Sequence, residues 1–91
     1  MHPVAFDLDR AYRLSPAAAL RPEPFGALAY HFGNRRLTFL KSRHLVTVVR
    51  LLDSYDSAAG ALDAAGVPAE QQARYAAALA ALAESEVIDA R

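Results

Sequence analysis

Residues Phe25 to Lys41, FGALAYHFGNRRLTFLK, decide how this chain folds. Apolar and small residues flank Gly33-Asn34 on both sides, and glycine at the first turn position predicts a hairpin with a two-residue type II′ turn. Pairing outward sets Phe32 opposite Arg35, His31 opposite Arg36, Tyr30 opposite Leu37, Ala29 opposite Thr38 and Leu28 opposite Phe39. Side chains alternate between the two faces of a strand. Leu28, Tyr30, Phe32, Leu37 and Phe39 therefore share one face, and Ala29, His31, Arg36 and Thr38 share the other. The larger apolar residues predict that the first of these faces lies on the core.

Before the hairpin, residues 1–11 show no clear period and read as a loosely held arm. Tyr12 to Arg21 suits an edge strand broken near Pro16, since proline cannot donate to a ladder. Pro22-Glu23-Pro24 reads as the loop that follows. Residues 12–41 thus predict a three-stranded antiparallel meander whose third strand, about Arg35 to Lys41, is an open edge.

After the hairpin the period changes. Ser42 is a good N-cap, and Leu45, Val48, Val49 and Leu52 follow the i, i+3, i+4, i+7 spacing of an amphipathic helix. Asp56 or Ser57 can cap a second short helix that Gly66 ends. Pro68, with Glu70 just after it, opens an alanine-rich third helix on which Tyr75, Leu79 and Leu82 form one stripe. Helices then occupy 42–85, and 86–91 form a tail that adds a short strand or frays. The expected fold class is α+β: a three-stranded antiparallel sheet followed by a three-helix bundle, in winged-helix-like order.

Ninety-one residues make one small domain, with no room for both a core and an enclosed cofactor pocket. At 54% hydrophobic and 22% charged, the composition is that of a folded chain. Without cysteine there is neither a disulfide framework nor a thiolate metal site. No signal peptide and no 18-residue apolar window stand out, which predicts a cytoplasmic protein. Net charge is zero but unevenly spread. Between Glu23 and Asp53 there is no acid, while Arg35, Arg36, Lys41, Arg43 and Arg50 lie there. From Leu51 onward seven acids face only Arg74 and Arg91. A basic hairpin joined to an acidic helical half predicts an anionic partner for the hairpin side.

Catalysis needs a constellation that this sequence lacks. His2, His31 and His44 have no ligand-like spacing, and the paired carboxylates Asp7/Asp9 and Glu84/Glu86 stand near expected termini. The glycines do not build a phosphate-cradling loop. No catalytic residue, metal or cofactor is predicted. The alternative of a winged-helix DNA-binding regulator would place Gln71, Gln72 and Arg74 on a recognition helix that then turns to alanine and Glu84, Glu86. That is a poor phosphate footprint, and no nucleic-acid partner is expected. Strand addition remains: an extended peptide completing the sheet beside Arg35 to Lys41, with Ala73, Ala76, Ala77 and Ala80 making a smooth helix face nearby.

The runs YRLSPAAALRPEPFGALAYHFGNRRLTFLKS and LVTVVRLLD resemble the mycofactocin biosynthesis chaperones, small relatives of the chaperone of pyrroloquinoline quinone biosynthesis. The resemblance covers about Phe6 to Asp53 and continues in layout beyond it. It implies a PqqD-like precursor-recognition domain without catalysis of its own. Such a domain binds a short, acidic, ribosomally made precursor peptide and presents it to a radical S-adenosylmethionine (SAM) maturase. That enzyme holds the clusters and cosubstrate, and decarboxylates and cross-links a C-terminal Val-Tyr pair. Carried onto this chain, the peptide lies along Arg35, Arg36, Leu37, Thr38, Phe39, Leu40 and Lys41, with Arg74, Tyr75, Ala78, Leu79 and Leu82 on the helix side. An open edge also leaves room for a homodimer through the same strand.

Overall fold

The computed structural model describes residues 6–91. Its strands are β1 (Tyr12–Leu14), β2 (Ala18–Glu23), β3 (Gly26–His31), β4 (Leu37–Leu40) and β5 (Ile88–Ala90). Its helices are α1 (Arg43–Leu51), α2 (Ala58–Ala64) and α3 (Gln72–Glu84), with single 3₁₀ turns at Leu52–Ser54 and Ala69–Gln71. Strands β2, β3 and β4 form one antiparallel sheet in sequence order, and β1 pairs apart from it with β5. The chain is therefore α+β, with a three-stranded antiparallel sheet and three helices, consistent with a PqqD-like fold.

The hairpin register is the expected one: Leu28 pairs with Phe39, Ala29 with Thr38 and Tyr30 with Leu37. The turn differs. Residues 32–35 form a four-residue loop, closed by the His31 N–H donating to the Arg36 carbonyl at 3.0 Å and the Arg35 N–H donating to the His31 carbonyl at 2.8 Å. The left-handed residue is Arg35 (φ 62°), not Gly33. Side chains hold the loop: His31 Nδ1 accepts from the N–H groups of Gly33 and Asn34, and Asn34 Oδ1 accepts from Arg36 N–H. A four-residue loop takes one residue more from each strand than a two-residue loop, so the register survives.

The two sheet faces are the reverse of those expected. Ala27, Ala29 and Leu40 are fully buried, whereas Tyr30, Phe32, Leu37 and Phe39 are exposed. Close approach explains this better than side-chain size. Small residues at 27 and 29 let α1 lie near the sheet backbone, and Leu45, Val48 and Val49 of α1 fill the space between. Leu62, Leu79, Leu82, Val87 and Ile88 complete the core. The β3–β4 contact is equally tight at Gly26 (φ 153°), where an added Cβ would sit 2.1 Å from the Leu40 carbonyl oxygen.

Pro16 ends the first strand outright instead of interrupting it. Tyr12–Leu14 leaves the main sheet to pair with Ile88–Ala90, so the expected tail is a strand. Strand β2 instead runs through Pro22, read above as loop, and the connection falls at Pro24-Phe25 between the paired Glu23 and Gly26. Part of the expected loose arm, residues 1–5, lies outside the described residues. The rest is tied down: Phe6 stacks on Tyr12 at 4.4 Å, and the carbonyls of Leu8 and Arg10 accept from the Ala59 and Ala58 N–H groups. Those bonds satisfy donors that the first turn of α2 leaves over.

The helix ends follow local chemistry. Ser42 Oγ accepts from Leu45 N–H, and Ser57 Oγ accepts from Gly60 N–H. At the end of α2, Gly66 (φ 80°) lets Val67 N–H reach back to the Leu62 carbonyl. At the end of α3, Glu86 (φ 65°) takes the same left-handed place, and Val87 N–H reaches the Leu82 carbonyl.

Candidate functional site

A sheet of three strands has two edges, and the ladder pattern says what each one offers. In an antiparallel pair, residues that exchange hydrogen bonds alternate with residues that do not. The His31–Arg36 bond sets the phase on one side of β3, so Ala29–Thr38 and Ala27–Leu40 are the bonded pairs. The N–H and C=O groups of Leu37 and Phe39 consequently point away from β3, off the free edge. On the other side, Phe32 N–H donates to the Ala17 carbonyl at 2.7 Å, which makes Tyr30–Ala19 and Leu28–Arg21 bonded pairs. The outward positions of β2 are then Ala18, Leu20 and Pro22. Ala18 N–H is already bonded to the Ser15 carbonyl, and Pro22 has no N–H. The β4 edge offers two outward donors; the β2 edge offers one.

Helix α3 is tied to the hairpin tip near one end and to the start of α1 near the other. Near its C-terminus, Asn34 Nδ2 donates to the Ser85 carbonyl at 3.3 Å and to Glu86 Oε2 at 2.9 Å, tying the hairpin tip to the helix end. Near its N-terminus, the Tyr75 ring stands edge-on to His44 at the start of α1, with centroids 6.0 Å apart. Between these attachments α3 runs opposite in direction to β4. A hollow of about 190 Å³ opens there, lined by Ser42, Leu45, Arg74, Tyr75 and Ala78. Its floor is apolar and its mouth carries a guanidinium, so it suits an apolar side chain beside a carboxylate.

The charge around the edge is positive and unspent. Among the described residues the ion pairs are Arg13–Asp89 and Arg21–Glu23, so Arg35, Arg36, Lys41 and Arg74 have no carboxylate partner. All four are exposed. Among the described residues no group of histidine and acidic side chains could hold a metal ion, and no helix is long and apolar enough to cross a membrane.

The structure brings most of the sequence-derived candidates together. Leu37, Thr38 and Phe39 lie within β4, while Arg35, Arg36 and Lys41 flank it. Arg74, Tyr75 and Ala78 line the hollow. Leu40, Leu79 and Leu82 do not belong to this surface: all three are buried in the core, at most 3% exposed, and support the groove from behind. The alanine face at Ala73, Ala76, Ala77 and Ala80 lies on the flank of α3 away from Ala78 and Ser85, so the small groove-side residue is Ala78. Ser42, Leu45 and Asn34 were missed as site residues. Their local duties as cap, core and turn residues gave no sign of a second one.

With this geometry in place, comparison with known proteins is informative. The family model described as the peptide chaperone MftB family matches residues 11–89. The chain belongs to the peptide chaperone MftB family. It is 51% identical over 85 residues to the peptide chaperone MftB of Mycolicibacterium smegmatis, covering 93% of this chain and 83% of that protein. It is 50% identical over 84 residues to the same-named protein of Mycobacterium ulcerans, covering 92% and 77%. For Mycobacterium tuberculosis the identity is 49% over 83 residues, covering 91% and 76%. No solved structure matches. Relatives named as peptide chaperones point to a non-catalytic, peptide-binding protein within the MftB family.

Proposed function

We propose that this chain is a cytoplasmic precursor-peptide chaperone that binds the mycofactocin precursor by strand addition at the β4 edge. It delivers that peptide to a radical SAM maturase, which decarboxylates and cross-links the C-terminal Val-Tyr pair. The observation that carries this reading is the outward-pointing Leu37 and Phe39 backbone with α3 standing alongside. An extended chain placed there gains ladder bonds from β4, and alternate side chains turn toward the hollow at Tyr75 and Ala78. Arg35, Arg36, Lys41 and Arg74 attract acidic residues and speed encounter. A second copy pairing through β4 would compete for the same donors, so peptide and homodimer exclude each other at this edge.

Calorimetric titration with the precursor at two salt concentrations, with a short DNA duplex as control, tests the reading. Saturable one-to-one peptide binding without duplex binding is the expected result. Duplex binding that falls steeply with salt, with the peptide inert, would contradict it.

A further inference from the structure

His31 ends β3 on the sheet face that carries Ala27 and Ala29, and its half-buried ring lies over the hairpin tip. Its Nδ1 accepts from Gly33 N–H at 3.0 Å and from Asn34 N–H at 3.1 Å. Two donors aimed at one ring atom require a lone pair there, so the ring is neutral with its proton on Nε2. The fit is close: a Cβ added at Gly33 would stand 2.9 Å from His31 Cε1. Glycine at 33 leaves the space that the ring fills.

Hydrogen bonds carry this arrangement on to the peptide groove. Asn34, whose N–H the ring holds, accepts from Arg36 N–H through Oδ1 at 2.9 Å. Its Nδ2 donates to the Ser85 carbonyl and to Glu86 Oε2 at the end of α3. The charged groups that these bonds and the strand register set at this corner are Arg35 and Arg36 in the loop and Glu86 after α3, while β2 places Ala18 opposite His31. The two arginines oppose a further positive charge on the ring, and the Glu86 carboxylate is engaged by Asn34.

A proton on Nδ1 turns the acceptor into a donor that faces two donors. Both bonds are then lost, and the ring has to leave the loop. His44 gives the contrast: its Nε2 meets the Ala65 carbonyl, to which the ring donates whether neutral or protonated. We infer that His31 is a positioning residue for the peptide site, ordering the hairpin tip and, through Asn34, the end of α3 only while its ring is neutral. The inference rests on the functional reading above. The ordering is complete in neutral solution and is lost as pH falls through the range in which histidine gains its proton, so precursor binding weakens in mild acid.

The substitution His31→Asn separates the bonds from the titration. It puts an amide oxygen on the same bond path from Cβ as Nδ1, able to accept from the same two N–H groups without gaining a proton. Wild type, His31→Asn and His31→Ala are titrated with the precursor by calorimetry at about pH 7.5 and about pH 5.5. Wild type is expected to bind about fivefold more weakly in acid, and His31→Ala about fivefold more weakly than neutral wild type at both pH values. His31→Asn is expected to stay within about twofold of neutral wild type at both. Equal weakening of wild type and folded His31→Asn in acid would overturn the inference, as would a folded His31→Ala that binds like wild type at neutral pH. A second readout needs no peptide. In NMR spectra of the free, isotope-labelled protein, the Gly33 and Asn34 amide signals are expected to shift as the His31 ring titrates, and to stay in place in His31→Asn. Amide signals that ignore the ring would overturn the inference alone. Absence of precursor binding by wild type at neutral pH would overturn the functional reading and this inference with it.

Discussion

The two edges of the three-stranded sheet differ in how they are closed, and the proposed function rests on that difference. Strand β2 spends its outward Ala18 N–H on Ser15 and places Pro22, which has no N–H to give, at another outward position. An edge treated in this way resists pairing with another chain. Strand β4 has no such block: Leu37 and Phe39 keep their outward donors, and among the described residues the flanking Arg35, Arg36 and Lys41 have no carboxylate partner. The open edge is the one to which the proposed peptide strand is assigned.

Detaching β4 altogether gives the largest effect. Gly26→Ala forces a Cβ into the Leu40 carbonyl at 2.1 Å, at a cost on the order of 3 kcal/mol. The melting temperature is expected to fall by more than about 10 °C in calorimetry, with loss of peptide binding. A sharper experiment keeps the fold and removes one donor. Phe39→Pro should weaken precursor binding about 10- to 100-fold by titration, because the peptide acceptor is left unsatisfied. Leu20→Pro, the matching change on β2, should leave the affinity of the folded protein within about twofold. Equal losses from both would erase the distinction between the edges.

Smaller effects refine it. Arg35→Glu with Arg36→Glu should slow precursor association about tenfold at low ionic strength in stopped flow and flatten its salt dependence. Asn34→Ala removes the bonds from the hairpin tip to Ser85 and Glu86. The expected loss is about 1 kcal/mol in urea unfolding, with a severalfold weaker peptide affinity as α3 loosens beside β4.

The edge and its register were legible in the sequence because strand alternation is local, and a wrong turn type leaves the pairing unchanged when loop lengths differ by one residue on each side. The helix caps at Ser42 and Ser57 were legible for the same reason. The covered face was not. Tyr30, Phe32, Leu37 and Phe39 are larger and more apolar than Ala27, Ala29 and Thr38, yet helix packing selects the side where backbones can come close. Nor could the pairing of Tyr12–Leu14 with Ile88–Ala90 be read locally, since a contact such as Arg13 to Asp89 spans 76 positions. On the site side, the hollow joins Ser42 and Leu45 of one segment to Arg74, Tyr75 and Ala78 of another. Only the tertiary fold makes them neighbours, and it also withdraws Leu79 and Leu82 into the core.

The most direct measurement is amide hydrogen exchange of isotope-labelled protein with and without the precursor peptide. Strand addition at β4 requires that the Leu37 and Phe39 amides become protected on binding while the Leu20 amide on β2 is unchanged. Protection that appears at Leu20, or complex formation that leaves Leu37 and Phe39 exchanging as before, would contradict the assignment of the peptide to the β4 edge.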